Sequence, residues 1–307
     1  MIGAINDLSS GARRVLVSGS TGLIGRRIVA ELRAAGDIVV PLVRGDAAAE
    51  GVRWNPGAGT LDPATVSGFD VVIHLAGESV LGRWTADKKR RIFESRARGT
   101  KELAEALAAA DRPPRLFLCA SGINFYGYRV DGVVDESSPL GDGFLAEVCE
   151  AWERATAPLA EMTRVVSLRF GAVLASEGGT LAIMLPIFRM GLGGPVGGGD
   201  GYLSWIAIGD LARVVDHLIN SEGLSGPVNV VAPEPVTGRD FAKALGAAVG
   251  RPAVIPVPAL LLRLLMGEVA EETALGSVRA VPKRLLEDGF QFQYPTISEA
   301  LASCLNK

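Results

Sequence analysis

The chain has 307 residues, 48% apolar and 21% charged, which is ordinary globular usage; it excludes a disordered chain and leaves room for one large α/β unit or two domains. Lys plus Arg total 31 and Asp plus Glu 34, so the net charge of −3 gives no electrostatic case for a nucleic-acid partner. The three cysteines, Cys119, Cys149 and Cys304, are far apart and odd in number; they suit neither a disulfide framework nor a paired-cysteine zinc site, and no metal is expected.

The first 14 residues lack an apolar signal core. The most apolar late stretch, residues 255–266, holds Pro256, Pro258 and Arg263 and falls short of a bilayer span. The default expectation is a cytoplasmic protein with no membrane partner. Residues 14–18 read as a buried strand, 23–35 as a helix, 38–43 as a strand interrupted by Pro41, 52–54 as a short strand and 70–75 as another. A long helix follows over 84–110, a strand over 115–120, a helix over 145–162 that Pro158 should end or kink, and a strand over 165–169. Strands alternating with helices imply parallel pairing with right-handed crossovers, a Rossmann-type doubly wound α/β sheet. Beyond Arg169 the pattern loosens: 191–201 is too glycine-rich for a regular element, while 210–221, 239–249 and 259–268 read as helices and 228–232 as a strand.

The turn after the first strand is Gly19-Ser20-Thr21-Gly22-Leu23-Ile24-Gly25, a GxxGxxG spacing that opens the first helix. One glycine reverses the backbone, the next admits a pyrophosphate and the third packs helix on strand, while the helix N-terminus offers free N–H groups to phosphates. In this strand–turn–helix setting the motif reads as a dinucleotide site. Residues 1–170 therefore form the expected NAD(P)-binding domain, with 204–232 returning to it, and 171–203 and 233–307 form a smaller substrate lobe. The residue that selects between cofactors is expected about 20 positions past the motif, at the end of the second strand. Arg44 stands there, and a guanidinium favours the 2′-phosphate of NADP; Asp46 nearby keeps NAD open. His74-Leu75-Ala76-Gly77-Glu78 ends a further strand, where Leu75, Ala76, Gly77 and Glu78 should line the cofactor's middle. His74, preceded by Val71-Val72-Ile73, reads as a satisfied core histidine, and His217 has no catalytic context.

Together these motifs resemble the extended short-chain dehydrogenase/reductases, the sugar-nucleotide epimerase-like group. Trp54-Asn55-Pro56, residues 118–121, Phe125-Tyr126-Gly127, residues 144–153, residues 191–195, Ser204-Trp205-Ile206, residues 232–235 and residues 282–286 are similar to one atypical subfamily, labelled NAD-dependent epimerase/dehydratase-like, over about residues 14–301. The resemblance implies a serine and a Tyr-x-x-x-Lys pair, in which the lysine lowers the tyrosine's pKa and holds the nicotinamide ribose. Ser121 matches the serine by position. The tyrosine should fall near Phe144 and Leu145, and Val148 and Cys149 stand where the lysine should. No other frame supplies the pair, and there is no lysine between Lys101 and Lys243.

Tyr126, five residues past Ser121, is the candidate replacement, either as proton donor to a new alkoxide or as a packing residue of its loop. Glu78 could serve as a base or simply hold its loop. Arg96 could reach a phosphate, or be one more helix charge beside Arg90, Arg91 and Arg98. Two functions remain: an NADP-dependent, epimerase-like oxidoreductase acting on a small or sugar-like substrate, favoured by Ser121, Tyr126 and a lobe containing Trp205, or a non-catalytic NADPH-binding sensor or regulator, favoured by the missing pair.

Overall fold

The computed structural model describes residues 12–44, 51–56 and 61–305. The chain opens with β1 (Arg14–Ser18), α1 (Leu23–Ala34), β2 (Ile38–Val43) and β3 (Val52–Arg53), close to the expected bounds. Then come β4 (Val71–His74), α2 (Ala86–Ala108), β5 (Leu116–Gly122), β6 (Arg129–Val134), α3 (Phe144–Arg154) and β7 (Arg164–Phe170). The looser half holds β8 (Ala172–Leu174), α4 (Gly179–Arg189), β9 (Tyr202–Leu203), β10 (Trp205–Ala207), α5 (Ile208–Asn220) and β11 (Gly226–Val230). The chain closes with β12 (Val236–Thr237), α6 (Gly238–Ala248), α7 (Ala259–Met266), α8 (Glu268–Glu272), β13 (Ser277–Ala280), α9 (Lys283–Glu287) and α10 (Ile297–Leu305).

The main sheet has seven parallel strands in the order β11-β7-β5-β4-β1-β2-β3, the expected doubly wound α/β sheet. Strand order reverses between β1 and β4, which opens a crevice at their carboxyl ends. Alternation along the strands feeds two cores. Val15, Val17, Ile73 and Leu118 face Ile28 and Leu32 of α1 and Leu211 and Leu218 of α5. Leu16, Val72, Phe117 and Cys119 face Leu103 and Leu107 of α2 and Trp152 of α3. Pro41 is tolerated because β3 pairs only with Leu42 and Val43, so its missing N–H breaks no ladder bond on that side.

α3 stops at Arg154, and Pro158 sits in a separate 3-10 turn, Ala157–Leu159. The late helix divides at Gly267, whose φ of +68° only glycine takes easily, into α7 and α8. A third core gathers α4, α6 and α10 around Trp205 and Leu174. The C-terminal segment is not confined to that lobe: Leu285 and Phe290 pack into the first core, and β13 pairs with β6.

Candidate functional site

The glycine turn lies at the β1 end of the crevice. Gly19 has φ +69°, and a Cβ there would stand 2.9 Å from the Leu75 carbonyl carbon, so turn and β4 end touch through backbone. A Cβ on Gly25 would fall 2.2 Å from the Gly19 carbonyl oxygen, which leaves no side chain but glycine's. Gly22 differs: its φ is −70°, and a Cβ would meet only the Gly19 oxygen, at 3.3 Å. Thr21 and Gly22 are exposed, and no side chain caps α1, so the N–H groups of its first turn, including Leu23 and Ile24, remain open to an acceptor. The arrangement fits a pyrophosphate: a bare backbone cradle, a helix N-terminus and no acidic residue in the first turn. Ser20 completes the turn, half-buried.

Beneath it, Ser18 accepts hydrogen bonds from the backbone N–H groups of Leu75 and Ala76, at 3.1 and 3.2 Å. Its own proton then goes to His74 Nδ1 at 2.7 Å, which leaves Nε2 to donate to Thr100 at 3.0 Å. His74 is fully buried between Trp54 and Phe117, and burial pushes its pKa down to about 3. It is a neutral core histidine that ties β1 and β4 to α2. His217 pairs with Asp288 at 2.7 Å, remote in sequence from these groups.

Arg44 is exposed at the end of β2, and its charge reaches the Glu78 carboxylate on the other side of β1. Asp46 lies outside the described residues. The Glu78 carboxylate is bound by Lys88 at 2.6 Å, which holds it below the usual range and makes it a poor base. Gly77 is exposed and Leu75 and Ala76 half-buried along the crevice floor. Arg96 sits behind Gly77, packed on the Trp152 ring.

At the β5 end the chemistry changes from backbone to side chains. Ser121 donates to Glu153 at 2.8 Å, and Glu153 receives a two-pronged bond from Arg169, both contacts 2.8 Å. Arg169, 3% exposed, lies over the Phe125 ring and also donates to the Tyr126 hydroxyl at 3.0 Å. Burial alone would lower its pKa, but Glu153 holds it above the ordinary value. Tyr126 is 4% exposed and gives its one proton to Asn229 at 2.7 Å. Of the two roles left open for Tyr126, the geometry favours packing: the phenol points inward with donor and acceptor both engaged. Trp205 is likewise core, fully buried with its indole N–H on the Glu234 carbonyl at 3.0 Å.

Sequence reasoning assigned no role to Glu153 or Arg169. Arg169 carried a signal, a charge directly following the apolar strand Val165-Val166-Ser167-Leu168, but its partner lies 16 residues away on another element. Cys149, at the lysine's expected place, is buried, and burial pushes its thiol up to about 11, so it stays neutral. Among the described residues no group of three or more His, Cys, Asp or Glu could hold a metal, and no helix is long and apolar enough to cross a membrane. A cleft of about 530 Å³ between α1 and α5, lined by Arg27, Glu31, Arg213 and Tyr294, includes none of the glycine-turn residues.

Comparison with known proteins adds a frame. A model of the NAD dependent epimerase/dehydratase family matches residues 15–232, and one of a domain of unknown function, DUF1731, matches residues 257–304. Epimerase family protein Mb2239 of Mycobacterium bovis is 41% identical over 290 residues, 94% of this chain and 96% of that one. The crystal structure of human epimerase family protein SDR39U1 with NADPH superposes with a TM-score of 0.87 at 33% identity, covering 95% of this chain and 99% of that one. A nucleoside-diphosphate sugar epimerase from Corynebacterium glutamicum has a TM-score of 0.80 at 36% identity, covering 96% of this chain and 58% of that one.

Proposed function

The chain belongs to the NAD dependent epimerase/dehydratase family, and on that premise we propose that it is an NADP(H)-binding, epimerase-like oxidoreductase acting on a small, sugar-like substrate. One observation carries the reading: a glycine cradle at the sheet's reversal point, with Gly22 open toward the crevice and the first turn of α1 uncapped. The NADPH in the human relative's structure and the sugar-nucleotide name of the Corynebacterium protein support it.

In this reading Ser20, Thr21 and Gly22 and the N–H groups of Leu23 and Ile24 hold the pyrophosphate. Arg44 takes the 2′-phosphate, and residues 75–78 form the floor. At the β5 end a bound nicotinamide would supply the hydride chemistry. There Ser121 faces a substrate hydroxyl. Because its proton is held by Glu153, its oxygen accepts a hydrogen bond from that hydroxyl and orients it. Arg169 fixes the carboxylate, and Tyr126 positions Arg169.

Calorimetric titration with NADPH and NADH tests the cofactor half. Gly22→Val should abolish binding with the circular-dichroism spectrum unchanged, because the branched side chain enters the crevice rather than the core. Arg44→Asp should weaken NADPH by about 1–3 kcal/mol and leave NADH nearly untouched. NADPH binding that survives Gly22→Val would move the cofactor elsewhere. A second reading, an NADPH-binding sensor without turnover, is favoured by Leu145 and Cys149 in place of the proton pair and by the engaged Tyr126 hydroxyl. Tight NADPH binding with no oxidation across a panel of carbonyl compounds and sugar nucleotides would select it.

A further inference from the structure

Among the described residues Arg96 is a half-buried cation without an ion-pair partner. It projects from α2 into the space between the end of β4 and α3. Its Nη1 donates to the backbone carbonyls of Glu78 at 2.8 Å and Ile92 at 3.3 Å. The guanidinium carbon lies 4.8 Å over the Trp152 ring, and a Cβ on Gly77 would stand 3.1 Å from it. Among the described residues no carboxylate lies within ion-pair distance and nothing accepts from Nε or Nη2. The Glu78 carboxylate, whose charge it feels, is taken by Lys88. Burial accordingly lowers the Arg96 pKa. A second donor beside it is also unpaired: Trp152 is 6% exposed, and its buried Nε1 has no acceptor. An arginine held this way, with forked donors directed away from its two carbonyl anchors, is costly unless a ligand supplies acceptors.

Strand order says which part of a ligand that would be. The pyrophosphate cradle follows β1, Arg44 follows β2 on one side, and β4 and then β5 lie on the other, each about 4.8 Å further along. Arg96 stands over the end of β4 and packs on the Trp152 ring of α3, the helix that faces β5. A dinucleotide with its adenosine at Arg44 and its phosphates at Gly22 brings its second ribose to this point. We propose that Arg96 binds the nicotinamide-side ribose of the cofactor through Nε and Nη2. A guanidinium from α2 thereby does what the lysine implied by the family resemblance would do from α3, where Cys149 is neutral and cannot.

This rests on the cofactor reading above, and the test separates the two. NADPH and 2′,5′-ADP, which lacks the second ribose, are titrated calorimetrically into the wild type, Arg96→Met, Arg96→Lys and Arg44→Asp, with melting temperatures recorded. Arg96→Met keeps the aliphatic packing on Trp152 and removes the donors. It should weaken NADPH by roughly 10- to 100-fold and leave 2′,5′-ADP unchanged, with Arg96→Lys intermediate. Arg44→Asp should weaken both ligands alike. Unchanged NADPH affinity in Arg96→Met overturns the assignment, and so does an equal loss for both ligands, which would place Arg96 at the phosphates or in the folding of α2. A wild type that binds neither ligand overturns the cofactor reading itself.

Discussion

The two ends of the crevice are built on opposite principles. At the β1–β4 end the buried polar groups beneath the glycine turn are neutral: Ser18, His74 and Thr100 pass hydrogen bonds in one direction, and the turn itself faces the crevice as backbone. At the β5–β7 end the groups are charged and interlocked, with Ser121, Glu153, Arg169, Tyr126 and Asn229 in one continuous chain of contacts. Neutral plugs suit a surface that must keep its shape for a phosphate. Paired charges suit a place where a substrate oxygen must be held in one position, because the carboxylate is already desolvated and fixed. The contrast predicts different ways for each end to fail.

The largest effect belongs to the charged end. Glu153→Ala leaves Arg169 buried with no carboxylate and frees the proton of Ser121. The expected loss is about 3–5 kcal/mol in urea unfolding, the cost of stranding one partner of a buried pair. The double variant Glu153→Leu with Arg169→Met should recover much of it, since the pair replaced by apolar groups need not be weaker. A single variant that unfolds like the wild type would mean Arg169 finds water, and the end is more open than its burial indicates.

The neutral end should instead announce itself through pH. His74 has a pKa of about 3 in the folded chain against 6.5 for an unperturbed histidine, so the unfolded chain binds the extra proton. Stability is therefore fully present above about pH 7.5 and falls with acid, with about 2 kcal/mol lost by pH 5 through this group alone. Urea unfolding across that range measures it. His74→Gln should remove that share of the acid slope while lowering the starting value. An unaltered slope would locate the acid sensitivity elsewhere, for instance at the carboxylates.

The same contrast governs what the sequence disclosed. β1, the glycine turn, α1 and the place of Arg44 at the end of β2 were legible because the whole unit spans fewer than 35 residues and each part has a local signature: an apolar run, glycine spacing, a helix period. His74 was readable as core because it closes an apolar strand. The charged end was not legible, since Ser121 and Glu153 are 32 residues apart and Tyr126 and Asn229 are 103 apart, and no periodicity links them. The short late strands were hidden for a related reason. β9, β12 and β13 have two to four residues and pair far along the chain, β9 with β12 and β13 with the earlier β6, so neither propensity nor alternation has length to show. The return of residues 285–290 to the main core has the same character.

Tyr126 is where the two readings of the charged end separate most finely. Its ring is buried, and burial raises its pKa, so the phenol keeps its proton and donates it to Asn229 Oδ1. Tyr126→Phe removes only the hydroxyl. It leaves Asn229 Oδ1 without its donor and Arg169 Nη1 without its acceptor, while the Glu153–Arg169 pair and the Asn229 bond to the Val281 carbonyl persist. The expected cost is about 1–2 kcal/mol in unfolding free energy, with NADPH affinity unchanged. Turnover, measured on any substrate the panel yields, should fall less than about tenfold, because a residue that steadies Arg169 acts at one remove from the proton. A drop of roughly 10²–10⁴-fold with stability intact would reverse the assignment. It would make Tyr126 the proton donor, and its bond to Asn229 a resting state that substrate binding breaks.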